Sequence, residues 1–251
     1  MHGVITWAPH TGPKVIDRFT FDKWIRNSGD FGWPTRDVWN DGRGTHVPFE
    51  KTHTIAKNGR LWSAESINGS TAVIICDSQC DLDSWGEQGA HIGGYSSIVE
   101  RAYGGGGYAA VAGSLGSSVT DALTSNRILL PEGSPGLVML TLGGNDATEG
   151  RSDSEIVAGL RRTLDTVRAA YPNARIVING VMSRGDAAHA GRRHVDDVVM
   201  QEAARQGIAH ISVAGWGSTY GAQYQDAVHL TQAGHNKIGP VYGQQLRNVL
   251  R

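Results

Sequence analysis

Five short apolar runs, separated by helix-like stretches, limit the possible folds of this chain more than any other feature. The runs cover residues 71–76, 108–112, 136–142, 175–179 and 208–213. Near-continuous apolar runs of this length are typical of strands that are buried on both faces. Strands that alternate with helices and are joined by right-handed crossovers form a parallel sheet with helices on both faces. The sequence therefore predicts an α/β fold over residues 71–251.

The stretches between the later runs carry the signals of helix ends. Ser152 and Glu155 have the spacing of a capping box, and the apolar stripe that follows them stops near Pro172. A second apolar stripe, over residues 195–203, stops before Gly207, and glycine is common just past a helix C-terminus. These signals predict one helix before the fourth strand and another before the fifth.

Four polar residues with complementary chemistry follow apolar runs or lie near the C-terminal end of the chain. Ser78 and Asn145 come after the first and third runs, and Asp226 and His229 form an Asp-x-x-His group. A serine hydroxyl needs a base to become a good nucleophile, and that base needs a carboxylate to fix its tautomer. An asparagine amide can donate a hydrogen bond to the oxyanion of an acyl-transfer intermediate. Open α/β sheets bind ligands at the edge where these residues are expected.

Residues from about 71 to 251 resemble the SGNH hydrolase family, also called GDSL esterases and lipases. Four blocks carry the resemblance, in order: Cys76-Asp77-Ser78, residues 111–118, Gly143-Gly144-Asn145-Asp146, and Asp226-Ala227-Val228-His229. The resemblance implies a flavodoxin-like, three-layer α/β/α sandwich around a five-stranded parallel sheet.

The resemblance also implies roles for individual residues. Ser78 is expected to be the nucleophile, His229 the base and Asp226 the carboxylate that orients it. The oxyanion donors are expected to be the N–H groups of Ser78 and Gly116 and the side-chain amide of Asn145. Within the second block, Gly113 is the alternative to Gly116.

Cys76 departs from the family pattern because it stands where glycine is usual. Glycine tolerates a positive φ, so the cysteine indicates either a turn that needs no positive φ or a strained one, and we expect the first. Cys76 or Cys80 as the nucleophile is an alternative, but no cysteine-protease signature surrounds them, so a structural role is expected. A bridge between the two depends on local geometry.

Residues 1–70 differ in character and are predicted to be a small β-rich appendage. They hold five of the seven tryptophans, and residues 52–63 read as a hairpin with Asn58-Gly59 as its turn. Two interpretations of the tryptophans are open: exposed rings that stack on sugars, or a small core that includes Trp24, Trp33 and Trp39, which we favour.

Composition narrows the possible partners. A net charge of −1 argues against nucleic acid and anionic membranes as partners, and the longest apolar runs are too short to span a bilayer. No signal peptide is visible, so the cellular compartment stays open. The glycine run 104–107 lacks the spacing of a phosphate-binding motif and is interpreted as a flexible connection.

No cofactor or metal is expected. Three histidines fit no ligand spacing, and three arginines after the fourth run are interpreted as exposed loop charges rather than as part of a cleft. These residues are His189, His194, His235, Arg184, Arg192 and Arg193.

Together these features predict a serine esterase that acts through an acyl-enzyme. Short acyl esters of carbohydrate or glycan are the favoured substrates because the chain has an aromatic-rich appendage and no obvious apolar lid. A lipid- or thioester-directed acyl hydrolase and a non-catalytic glycan-binding module remain alternatives.

Overall fold

The structure is a computed structural model, and it describes residues 3–81 and 83–251. It forms two compact units, one built from residues up to Ile67 together with Ser125–Gly133, the other from Asn68–Thr124 and Ser134–Arg251. The boundary was expected after residue 70, with residues 125–133 in the larger domain. Those residues instead join the smaller unit, because their strand pairs with a strand of that unit. Residues 1 and 2 of the predicted appendage lie outside the described residues.

The strands are β1 Gly3–Ala8, β2 Gly12–Asp17, β3 Trp39–Asp41, β4 Gly44–Pro48, β5 His53–Lys57, β6 Arg60–Ile67, β7 Thr71–Cys76, β8 Ser97–Ala102, β9 Val111–Ala112, β10 Ser117–Ser118, β11 Pro131–Gly133, β12 Leu137–Thr141, β13 Arg175–Asn179 and β14 Ala209–Ile211. The α-helices are α1 Arg18–Trp24, α2 Ser28–Phe31, α3 Trp85–Ile92, α4 Val119–Thr124, α5 Gly144–Glu149, α6 Asp153–Ala170, α7 Ala190–Arg205, α8 Trp216–Thr219 and α9 Gln232–Val249. Two 3₁₀ turns cover Ser78–Cys80 and Ala187–His189.

The larger unit is a three-layer α/β/α sandwich around a five-stranded parallel sheet, as predicted. Its strand order is β14-β13-β12-β7-β8, and every neighbouring pair is parallel. All residues of β7 and β12 are buried, which explains why these strands are apolar without alternation. Helices α3 and α9 pack together on one face, while α4, α5, α6 and α7 pack against one another.

One predicted strand is wrong. Residues 108–112 were expected to form the second strand, but that position in the sheet is taken by β8, which pairs with β7 at the edge. An edge strand has only one neighbour, so β8 includes the charged residues Glu100 and Arg101 and does not read as an apolar run. Tyr108 and Ala110 are buried although they lie outside the parallel sheet, and their backbone N–H groups donate to the carboxylate of Asp146.

The predicted helix signals are confirmed. Helix α6 begins after a complete capping box between Ser152 and Glu155, and α7 ends two residues before Gly207. Helices α3 and α9 can approach closely because Gly89 has no side chain. A Cβ at this position would collide with the ring of Tyr242. Tyr242 in turn packs edge-on against Trp85, with 4.7 Å between ring centroids. This close contact fixes α9, which follows the loop that carries His229.

The smaller unit contains a five-stranded sheet of order β11-β6-β5-β4-β3 and a separate two-stranded sheet of β1 and β2. The predicted hairpin is confirmed: Asn58 and Gly59 join β5 and β6 with φ values of 52° and 73°, as a type I′ turn requires. Trp24 belongs to the core of this unit, but Trp33 is 36% exposed and Trp7 is 62% exposed. Among the described residues, no helix combines the length and apolarity needed to cross a bilayer.

Candidate active site

Ser78 lies at the carboxyl end of β7, where the strand passes into a 3₁₀ turn. Asp77 caps this turn by accepting a hydrogen bond from the N–H of Gln79 at 2.9 Å. Cys76 and Cys80 are joined by a disulfide that spans the turn. Cys76 is not among the residues with positive φ, so the expectation that the turn needs no glycine there is confirmed. The disulfide leaves neither sulfur as a free thiol.

The structure brings Ser78 next to His229 and Asp226, which lie on a loop about 150 residues later in the chain. The hydroxyl oxygen of Ser78 lies 2.7 Å from His229 Nε2, and His229 Nδ1 lies 2.7 Å from Asp226 Oδ2. A carboxylate can only accept, so Nδ1 carries the proton and Nε2 offers its lone pair to the Ser78 hydroxyl. The geometry is that of a nucleophile, a base and an orienting carboxylate.

The carboxylate of Asp226 also shapes the loop on which it lies. Its Oδ1 accepts hydrogen bonds from the backbone N–H groups of His229 and Val228, each at 2.8 Å. The bond from the His229 N–H, followed by the bond from its ring, holds the pKa of Asp226 far below its usual range. Asp226 is therefore ionised throughout the pH range in which an esterase is assayed.

Asn145 reaches the same site from the first turn of α5. The residue before this helix, Gly143, has a φ of 114°, a conformation that favours glycine. The side-chain amide of Asn145 donates to the carbonyl of Gly106 at 2.9 Å and lies 3.4 Å from Asp77 Oδ2. The second contact is long for a hydrogen bond, so one amide hydrogen is only weakly engaged.

The structure does not support the assignment of Gly116 as an oxyanion donor. Its N–H donates to the carbonyl of Ala112 at 2.8 Å within the turn between β9 and β10. Gly104 instead approaches Ser78: a Cβ at Gly104 would lie 3.8 Å from the Cβ of Ser78. Within residues 3–81 and 83–251, the N–H of Gly104 has no hydrogen-bond acceptor. Gly113, the earlier alternative, belongs to the same turn between β9 and β10 as Gly116.

A buried carboxylate fixes the loop that carries Gly104. Asp146 is fully buried and accepts hydrogen bonds from the N–H groups of Tyr108, Ala109 and Ala110 at 2.9, 2.7 and 2.8 Å. Burial raises the pKa of Asp146, and these three bonds oppose that rise. The glycine run 104–107 is thus part of the site and not only a flexible connection.

A second buried charge lies behind the site. Arg192 is 8% exposed, and its guanidinium donates to the carbonyls of Gly144 and Met182 at 3.1 and 3.0 Å. The interpretation of Arg192 as an exposed loop charge was therefore wrong. Burial raises the pKa of Asp77 to about 6, while the bond from Gln79 and the charge of Arg192 act against this rise.

Gly104 and Arg192 were both misinterpreted from the sequence, although signals for both were present. Gly104 stands two residues after β8 in the chain, at a carboxyl strand end, where a ligand site is expected. Arg192 precedes Val195 and Val199 by three and seven residues, which places it on the apolar stripe of α7.

The GDSL-like Lipase/Acylhydrolase family model matches residues 77–237. No curated protein sequence matches the chain.

Solved structures share the fold at low sequence identity. A family two carbohydrate esterase from Clostridium thermocellum, in complex with cellohexaose, has a TM-score of 0.59 and 19% identity, over 76% of this chain and 67% of that one. A carbohydrate acetylesterase from Sinorhizobium meliloti and an inhibitor-bound aryl esterase from M. smegmatis each have a TM-score of 0.52 and 14% identity, over 71% of this chain and 99% of theirs.

Proposed function

The chain belongs to the GDSL-like lipase/acylhydrolase family, and from this premise we propose that it is a serine esterase whose nucleophile is Ser78. The observation that carries the proposal is the continuous pair of 2.7 Å contacts from Ser78 through His229 to Asp226. A histidine–aspartate pair with a purely structural role on the surface would not need a serine on a buried turn at one end and an ionised carboxylate at the other. The arrangement matches the requirements of nucleophilic acyl transfer.

In the proposed reaction, His229 Nε2 takes the proton of the Ser78 hydroxyl while the oxygen attacks the ester carbonyl. Asp226 keeps the imidazole in the required tautomer and stabilises its positive charge. The protonated His229 then gives its proton to the leaving alcohol, which leaves an acyl group on Ser78. A water molecule repeats the sequence and releases the carboxylic acid.

The developing oxyanion is proposed to bind between three donors: the N–H groups of Ser78 and Gly104 and the side-chain amide of Asn145. Gly104 replaces Gly116 in this role because its N–H has no acceptor within the described ranges and the residue lies beside Ser78. Preorganised donors of this kind stabilise the transition state without reorganising during the reaction.

Short acyl esters of carbohydrate or glycan are the proposed substrates. Two of the structural neighbours described above are carbohydrate esterases, which supports this class at the level of fold. A lipid- or thioester-directed hydrolase is the alternative within the same chemistry. A non-catalytic glycan-binding module is the alternative outside it, and the intact contact between Ser78 and His229 argues against it.

An activity panel tests the proposal. Acetylated sugars and p-nitrophenyl esters of increasing acyl length are offered to the wild-type protein and to Ser78→Ala. The proposal predicts highest kcat/KM for acetyl esters and a loss of at least about a thousandfold in Ser78→Ala. Preference for long acyl chains would favour the lipid-directed alternative, and equal rates in both proteins would contradict a serine esterase.

A further inference from the structure

The loop that carries Asp226 and His229 is held by side chains outside it through two consecutive carbonyls. The carbonyl of Val228 accepts a hydrogen bond from Gln79 Nε2 at 3.1 Å. The carbonyl of Ala227 accepts one from His189 Nε2 at 2.9 Å and a longer one from the guanidinium of Arg184 at 3.3 Å. Of these three donors, His189 is the one whose charge changes within the usual assay range of pH.

The contacts of His189 define which of its nitrogens carries the proton. Its Nδ1 lies 2.9 Å from the backbone N of Arg184, whose N–H can only donate. Nδ1 must therefore be an unprotonated acceptor, and the ring proton lies on Nε2, which donates to the Ala227 carbonyl. The residue is 3% exposed, and its ring packs edge-on against Tyr224 with 6.0 Å between centroids. Both ring nitrogens are thus satisfied only by the neutral Nε2–H tautomer.

We propose that His189 is a positioning residue that keeps the loop bearing the acid and base in place only while its imidazole is neutral. Protonation would put a hydrogen on Nδ1, directly opposite the N–H of Arg184, and the two donors would repel each other. The ring would have to move, and the bond to Ala227 would be lost with it. This inference rests on the proposed esterase activity for its kinetic consequences, whereas the loop contact itself does not depend on that activity.

The surroundings of His189 favour the neutral form. Burial is the main cause that holds the pKa of His189 below its ordinary value, and the charges of Arg184 and Arg192 act in the same direction. The bond to the Ala227 carbonyl and the charge of Asp186 act in the opposite direction. Charged or titratable groups that face the ring or its loop are Arg184, Asp186, Arg192, Arg193, Tyr224 and Asp226.

The sign of the pH effect follows from the lowered pKa. The unfolded chain binds a proton to this histidine at a higher pH than the folded protein does, so the contribution of His189 to stability is present above the unfolded pKa and is lost as pH falls. The loop is held at neutral pH and released in acid. Since His229 must also be neutral to accept a proton, two protonations then inactivate the enzyme on the acid side.

The kinetic test compares His189→Ala with His189→Gln, whose amide nitrogen can replace Nε2 as the donor to Ala227 but does not titrate. We expect His189→Ala to lose about 10- to 100-fold in kcat/KM, because misplacing a catalytic base by about 1 Å has effects of this size. His189→Gln should stay within about threefold of wild type. Its log kcat/KM should fall with a slope of about one in acid, against about two for wild type.

His194→Ala is the matched control, since His194 lies on α7 with its side chain 62% exposed and, among the described residues, bonded only to Asp153. It should leave the rate and the slope unchanged. Normal kcat/KM in His189→Ala, or equal acid slopes in wild type and His189→Gln, would overturn the proposal.

A measurement that needs no substrate separates this proposal from the esterase proposal. Hydrogen exchange of the Val228 and His229 amides, which donate to Asp226, reports directly on the loop. Exchange should be faster in His189→Ala and near wild type in His189→Gln, with global stability checked by denaturation. Unchanged exchange in His189→Ala refutes the positioning role even if Ser78 is the nucleophile. If Ser78→Ala keeps full activity, the esterase proposal fails, and the exchange result alone decides on His189.

Discussion

Asp146→Asn tests how the loop beside Ser78 is held. In the wild-type protein, Oδ2 accepts from the N–H of Tyr108, and Oδ1 accepts from those of Ala109 and Ala110. An asparagine keeps only one acceptor oxygen, so its amide nitrogen must face at least one N–H donor. Losing a hydrogen bond to a charged group costs about 1.5–3 kcal/mol, and leaving the buried donor unpaired costs about 1–3 kcal/mol more. We expect a total loss of about 2.5–6 kcal/mol in the free energy of unfolding.

Denaturant unfolding measures this loss, and kcat on an acetyl ester measures its effect on the site, since the same loop carries Gly104. Glu149→Gln is the control because Glu149 lies on the same helix and accepts from the N–H of Val111, but its side chain is 34% exposed. It should cost less than about 1 kcal/mol. A loss below about 1 kcal/mol in Asp146→Asn, or equal losses in the two variants, would refute the reasoning.

Three further predictions concern the same site. The folded-state pKa of Asp77 is about 6, above its unfolded value of 3.8, so its contribution to stability is greatest at low pH and is lost as pH rises to about 6. Relative to Asp77→Asn, the wild type should therefore lose up to about 3 kcal/mol of unfolding free energy between pH 4 and 6. A difference between the two proteins that stays constant with pH would contradict this. Asn145→Ala should lower kcat by about 100- to 1000-fold, whereas an effect confined to KM would make Asn145 a substrate-binding residue. Replacing both Cys76 and Cys80 by alanine should cost about 2 kcal/mol in thermal or denaturant unfolding and leave esterase activity, which a thiol nucleophile would not allow.

The central strands and the polar residues after them could be predicted from sequence because burial on both faces leaves a simple pattern. β7 and β12 read as apolar runs, and Ser78 and Asn145 follow within four residues of their ends. Ser78 and His229 are 151 residues apart, yet parallel strand topology brings the carboxyl strand ends to one edge, so their meeting could be anticipated.

The edge of the sheet could not be predicted in the same way. β8 exposes one edge and includes charged residues, so its pattern is lost among loops, and residues 108–112, which include β9 outside the parallel sheet, were taken for it. Missing this strand also hid Gly104, because the glycine run after it was no longer seen to follow a strand end. The segment 125–133 was misplaced because pairing of β11 with the distant β6 leaves no local signal.

The most direct test of the account is the site at which a fluorophosphonate probe reacts with the folded protein. The probe forms a covalent bond to an activated serine oxygen, and peptide mass spectrometry locates the adduct. We expect one adduct, at Ser78, that is absent in Ser78→Ala and much slower to form in His229→Ala, since the base activates the hydroxyl. No adduct in well-folded wild-type protein, or an adduct elsewhere that persists in Ser78→Ala, would contradict the assignment of Ser78 as the nucleophile.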